Sequence, residues 1–276
     1  GLYKSVNFSR EQIKEIRYAG LLHDFGKVGV REQVLVKAKK LYPPDLSLIR
    51  SRYAFIKRSA EAAFHRQRAD FLAQRGQEGY HAFVAGIEAE HQREIEALDQ
   101  FLKTVLGANE PSLLPEGSFE ELIQAAEKKY ADIDGQPQPF LTDDEVRYLT
   151  IRKGSLDEAE RLEIESHVTH TYRFLLQIPW TKELSHIPVI AYGHHEKLNG
   201  TGYPRKVNAP EIPIQTRMMT ISDIFDALTA SDRPYKRAVP LQRALDIMQA
   251  EVQGGMLDGE LFKLFTEGKV FEKLAG

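Results

Sequence analysis

The sequence predicts an all-α fold, and three observations carry that reading. Apolar residues recur at three- and four-residue spacing along most of the chain, the period of a helix with one buried face. Two stretches, 46–71 and 84–105, hold that spacing over many turns. Strand signals are few, with no long alternation of apolar and polar residues and few β-branched runs. The chain has 276 residues, 42% hydrophobic and 28% charged, which is enough to bury a sizeable core and excludes a disordered or fibrous chain.

Ser9 is placed to cap a first helix that carries Ile13, Ile16, Tyr18, Leu21 and Leu22 toward His23 and ends at Gly26. A short mixed stretch, 28–40, follows. Pro43-Pro44-Asp45 marks the next helix start, and Leu46, Ile49, Tyr53, Ile56, Ala60, Phe64 and Phe71 give that helix an apolar face. Gly76 and Gly79 interrupt the pattern; Val84, Ile87, His91, Ile95, Leu98, Leu102 and Val105 resume it. Two long helices joined by a glycine-flanked turn read as an antiparallel hairpin. Prolines at 111, 115, 137 and 139 break up 106–139, leaving one short helix near 120–129. Thr142 opens a further helix, and Ser155 caps another that runs into His167. From His186 onward, helices alternate with a Gly/Pro-rich loop at 199–213.

Charge and composition narrow the function. The chain holds 37 Lys+Arg against 40 Asp+Glu, a net charge of -3, so it has no global field for nucleic-acid polymers or anionic membranes. A few local cations can still hold a small anion. The absence of cysteine excludes disulfides, Cys-ligated zinc and thiol catalysis. No apolar run approaches the ~20 residues of a membrane span, so a cytoplasmic location is expected. The first residue is Gly rather than Met, so we expect this chain to be part of something longer, such as the cytoplasmic portion of a sensor protein.

His and Asp residues carry the chemistry. His23-Asp24 are adjacent, His167 lies on a later helix, His194-His195 form a doublet before the loop, and Asp223 sits on an otherwise apolar helix. Imidazole nitrogen and carboxylate oxygen suit manganese, iron, zinc or nickel, and a carboxylate can bridge two ions. Taken singly, each is more simply a hydrogen-bonded polar residue. Asp223 is the least easily dismissed, because an unpaired buried carboxylate costs several kcal/mol. Lys27 lies one helical turn from His23, so it can face the same side.

Read in order, these motifs are highly specific. His23-Asp24-Phe25-Gly26-Lys27, then the run from His194-His195-Glu196 through Gly200-Thr201-Gly202-Tyr203-Pro204, then Ile221-Ser222-Asp223 and Asp232-Arg233-Pro234-Tyr235-Lys236 resemble the HD-GYP family of HD-domain metal-dependent phosphohydrolases. That resemblance implies an HD-type helical bundle at 1–41 and 153–276, with 42–152 inserted as the hairpin subdomain. It implies a bacterial phosphodiesterase that hydrolyses cyclic di-GMP, or a related cyclic dinucleotide, to pGpG or GMP. It also implies two or three divalent ions, iron or manganese, held by His23, Asp24, His167, His194, His195 and Asp223, with Asp24 shared and Lys27 on the substrate. Lys37, Gly202, Tyr203, Arg233 and Lys236 are the substrate contacts it suggests. Arg217 either joins them or pairs with a structural carboxylate.

Three departures from the family matter. Asn199 stands where the family has Asp, a change expected to weaken ligand orientation. A helix that supplies further ligands in three-metal members is not in this sequence. The long insertion is a subdomain that either packs within the chain or forms a homodimer. A competing reading is a catalytically weak sensor or docking module that binds a cyclic dinucleotide or recruits a diguanylate cyclase. A phosphohydrolase of nucleoside monophosphates or (p)ppGpp is a third, and the Gly200–Pro204 loop argues against it.

Overall fold

The computed structural model describes residues 2–113, 117–230 and 238–274, without the side chains of 273 and 274. Eleven α-helices and one two-stranded sheet lie among the described residues. The chain divides into two compact units, Gly1–Val36 with Glu158–Gly276, and Lys37–Asp157.

The first unit holds α1 (Arg10–Leu22), α2 (Glu32–Leu35), α7 (Glu158–Leu175), α8 (Ile187–Tyr192), α9 (Ile214–Thr229), α10 (Leu241–Gln253) and α11 (Gly259–Glu267). Ser9 caps α1 as expected: its hydroxyl accepts from the Gln12 N–H, and the Gln12 side chain accepts from the Ser9 N–H. The expected apolar face is different. Ile13, Tyr18 and Leu21 are exposed, and the fully buried positions are Glu15 and Ala19. α1 also stops at Leu22, and Phe25–Gly29 form a separate 3-10 turn. Ser155 is not a cap, because its hydroxyl donates to the Lys37 carbonyl instead.

Two clusters hold this unit together. Ala19, Leu175, Ile187, Ile190, Ala191 and Met219 bind α1, α7, α8 and α9 into one core. Ile221, Phe225, Met248, Leu257, Leu261, Phe262 and Phe265 pack α9 against α10 and α11. Burying each such side chain stabilises the fold by roughly 1.5–3 kcal/mol. The sequence thereby fixes the helix ends that carry the His and Asp motifs.

The second unit holds α3 (Pro43–Arg75), α4 (Tyr80–Ala108), α5 (Ser118–Glu127), β1 (Lys129–Ala131), β2 (Pro137–Pro139) and α6 (Asp143–Leu149). The long helices run antiparallel. Lys57 pairs with Asp99, Phe64 stacks on His91 and Phe71 stacks on Phe83, so partners advance along α3 as they retreat along α4. Gly76 and Gly79 both take positive φ in the link. Ile49, Tyr53, Leu98, Val105, Leu122, Leu141 and Leu149 form the core at the base of this hairpin. The β1–β2 pair, closed by the Asp132 side chain accepting from Asp134 and Gln136 N–H groups, went unread because its strands are only three residues long.

The units divide at Val36/Lys37 and Asp157/Glu158, not at 41/42 and 152/153. Side-chain bonding explains the shift. The Leu41 N–H donates to Asn109, the Lys40 ammonium to the Leu149 carbonyl, and the Ser155 hydroxyl to Lys37. These contacts tie both connecting strands of chain to the second unit.

Candidate metal centre

Two helix ends and two helix faces bring the His and Asp residues together. His23 follows α1, His167 lies within α7, His194 and His195 follow α8, and Asp223 lies on α9. Gly26 lets the chain after His23 lie against α7. A Cβ there would stand 2.0 Å from the His167 carbonyl oxygen and 2.5 Å from the Thr171 nitrogen, so no other residue fits. Thr171 completes the joint: its hydroxyl accepts from the Gly26 N–H and donates to the His23 carbonyl.

Ligand-capable atoms of His167, His194 and His195 lie within 4.8 Å of one another, and so do those of His23, His194 and Asp223. Asp24 lies between the groups, with Oδ1 3.3 Å from His167 Nε2 and Oδ2 3.4 Å from His23 Nε2. His23 Nε2 is also 3.4 Å from Asp223 Oδ1. All six residues expected as ligands are thus gathered at one place.

The orientation of the rings points to a cation. His23, His167 and His194 each place Nδ1 on the carbonyl three residues earlier, at 2.7, 2.5 and 2.6 Å from Gly20, Ile164 and Ala191. A ring whose Nδ1–H donates presents a bare Nε2 lone pair, the form that binds a metal. Those three Nε2 atoms and Asp24 Oδ1 are buried without a hydrogen-bond partner. Among the described residues, the fifth such atom is the Tyr53 hydroxyl, in the other unit. Orphaned buried acceptors are costly, and several aimed at one point need a positive charge to satisfy them. The donor set fits divalent ions of intermediate softness.

The electrostatics suit the same use. Burial pushes the His194 imidazole down to about 4, so it is neutral near neutral pH. Burial and the neighbouring His194 also lower His195. Burial opposes charge on Asp24, but its neighbours, the Lys27 ammonium among them, outweigh it and hold the carboxyl well below its usual range. Burial likewise opposes charge on Asp223, where the adjacent histidines win. His23 is raised, since Asp223 and Asp24 outweigh its burial.

Lys27 reaches the centre as expected, its ammonium 2.6 Å from Asp24 Oδ2. Tyr203 forms a wall: its ring lies 4.7 Å from that of His195, and its N–H donates to the His195 carbonyl. Gly202 is required there, because a Cβ would meet Lys197 N at 2.3 Å and Glu196 Cα at 2.5 Å. Glu196 is the residue that sequence reasoning missed. It is buried, and its two carboxylate oxygens accept from the Arg205 and Val207 N–H groups, pinning the far side of the glycine loop to the residue after the doublet. Its signal was the position next to His194-His195, at the start of the glycine loop.

Other expected contacts fall elsewhere. Arg217 makes the structural alternative's contacts: it donates to Asp258, to the Tyr3 hydroxyl and to the carbonyls of Ile212 and Ala209. Lys37 belongs to the second unit, its ammonium 4.4 Å from the Tyr42 ring centre and 4.1 Å from that of Tyr148. Asn199 is exposed and does not orient a ligand. Its Oδ1 accepts from the Thr201 N–H and hydroxyl, and its Nδ2 donates to the Gly254 carbonyl. Arg233 and Lys236 lie outside the described residues. His186 is structural, holding buried Glu15 through its N–H and Nδ1.

Comparison with known proteins agrees with this geometry. Residues 144–261 match the family model described as an HD domain. That stretch is similar to HD domains. The match takes in His167, His194, His195 and Asp223, while His23 and Asp24 precede it. The 3'3'-cGAMP-specific phosphodiesterase 3 of Vibrio cholerae is 44% identical over 111 residues, 40% of this chain and 23% of that protein. The 3'3'-cGAMP-specific phosphodiesterase 1 of the same organism is 37% identical over 115 residues, 42% of this chain and 26% of that protein. A cyclic di-GMP phosphodiesterase response regulator of Xanthomonas campestris is 30% identical over 127 residues, 46% of this chain and 33% of that protein. This part of the chain is therefore similar to proteins named as cyclic-dinucleotide phosphodiesterases, and the chain spans between 23% and 33% of these relatives' lengths. Among the described residues, no helix is long and apolar enough to cross a membrane.

Proposed function

We propose that this chain is a metal-dependent phosphodiesterase of cyclic dinucleotides in bacterial second-messenger signalling, with cyclic di-GMP or 3'3'-cGAMP as its substrate. The observation that carries the proposal is that three buried Nε2 atoms and Asp24 Oδ1, none with a hydrogen-bond partner, belong to one cluster of adjoining His and Asp residues. Relatives named for either substrate support the substrate class.

His23, His194 and Asp223 would hold one divalent ion, His167 and His195 a second, and Asp24 both. Iron or manganese suits that mixture of imidazole and carboxylate. Two such ions, when bound, supply charge to the anionic phosphodiester and lower the pKa of a water. The carbonyls of Gly20, Ile164 and Ala191 keep the three rings in the ligating tautomer. Lys27, tethered to Asp24, places a cation where negative charge grows on the phosphoryl oxygens. Tyr203 offers a flat face beside His195 on which a purine can stack.

The test is chromatography of products from metal-loaded protein incubated with each dinucleotide. Conversion of either one to its linear form, abolished by a chelator, is expected. Intact substrate in both, with metal bound, would overturn the enzyme reading and favour a binding module.

A further inference from the structure

The arm of the hairpin beyond its core is not complete by itself. From Lys57 to Ala97 no residue is buried, and the seam residues Phe64, Phe71, Phe83 and Ile87 are only half covered. α3 and α4 keep helical structure through this whole span. Two helices facing each other close one seam and leave the outer faces in water, whereas helix bundles gain stability by closing a shared core.

The outer faces are patterned. On α3, Arg58, Ala62, His65, Ala69 and Leu72 are exposed and recur at alternating four- and three-residue spacing, the period of a face that meets another helix. Leu72 is 39% exposed. The charges are segregated between the helices. Over 58–75, α3 carries Arg58, Arg66, Arg68 and Arg75 against Glu61 and Asp70; over 80–96, α4 carries Glu88, Glu90, Glu94 and Glu96 against Arg93. The Phe64–His91 and Phe71–Phe83 ring pairs set the register, so Arg58 stands level with Glu96 and Arg66 level with Glu88. Existing partners of these residues are weak, exposed ones on their own helices, Glu61 for Arg58 and Gln92 for Glu96.

We propose that this arm docks on the same arm of a second copy of the chain. A two-fold axis along the hairpin puts α3 of each copy beside α4 of the other, antiparallel. Arg58 and Arg66 then face Glu96 and Glu88 of the other copy, and the alanines let the helices approach. Pairing α3 with α3 would oppose arginine to arginine, so charge selects the mixed arrangement. The result is a four-helix bundle built from two hairpins.

Sedimentation equilibrium of the full chain tests this. At about 50 μM the species should have twice the 31.4 kDa chain mass, and raising salt should weaken it. Arg58→Glu with Arg66→Glu should raise the dimer dissociation constant by about 100-fold, as should Glu88→Lys with Glu96→Lys. All four side chains are exposed, so helix content by circular dichroism should not change. An equimolar mixture of the two variants should restore a dimer. A monomeric native chain overturns the proposal. So does a dimer indifferent to both reversals, or a mixture that stays monomeric.

Discussion

Asp24 Oδ1 lies 3.3 Å from His167 Nε2, and neither atom has a hydrogen-bond partner. His167 Nδ1 already donates to Ile164, so the nitrogen that faces Asp24 carries a lone pair. Two acceptors face one another across a distance that a proton or a metal cation makes favourable. His23 Nε2, likewise buried without a hydrogen-bond partner, lies 3.4 Å from both Asp24 Oδ2, which also accepts from Lys27, and Asp223 Oδ1.

Lys27→Ala should lower kcat about 100-fold with a smaller change in KM. Its ammonium sits on Asp24, where a cation acts on charge that develops during the reaction more than on the bound substrate. Steady-state kinetics on the metal-loaded protein checks this, and an effect confined to KM would place Lys27 in substrate binding alone.

Glu196→Gln should leave metal content unchanged while lowering activity about 10-fold or more. The carboxylate holds the Arg205 and Val207 N–H groups, and an amide can satisfy them only in part. Elemental analysis beside a rate measurement separates this from a ligand role, in which metal would be lost.

Asn199→Asp should not improve metal retention. The amide closes a turn with Thr201 and donates to Gly254, and the carboxylate cannot make the second bond. A stability loss of up to about 1 kcal/mol is expected in urea unfolding, with metal stoichiometry constant. A rise in turnover would show that this position acts on the metals after all.

Asp258→Asn should destabilise the fold at pH 7 and matter less in acid. Burial opposes charge on Asp258, but Tyr3, the Leu261 N–H and Arg217 outweigh it, so its folded pKa lies below the ordinary 3.8. A depressed carboxyl contributes stability above its unfolded pKa and loses it as pH falls through the folded value. Urea midpoints of native and variant proteins should therefore differ at pH 7 and converge as pH falls through the depressed folded value.

Much of this was legible in the sequence, for identifiable reasons. Ser9, Pro43, Gly76 and Thr142 are local signals, and the structure puts helix ends at each. The six expected ligands were legible because their motif is ordered, and the structure gathers all six residues at one place. Faces and partners were less legible. Ile13 and Leu21 keep helical spacing yet lie in water, while Glu15 is buried against His186, because burial depends on neighbours that periodicity does not name. Arg217 had two plausible partners, and Asp258, forty-one residues later in sequence, decided between them. Glu196 was passed over because its role is to hold backbone N–H groups, which no side-chain pattern reveals.

The metal centre is the central claim, and metal stoichiometry tests it most directly. The chain would be purified anaerobically, loaded with iron or manganese, freed of excess ion and analysed for metal per chain. About two ions per native chain are expected, falling below one when Asp24, which faces both groups of histidines, is replaced by Asn. Less than one ion per native chain would contradict the account.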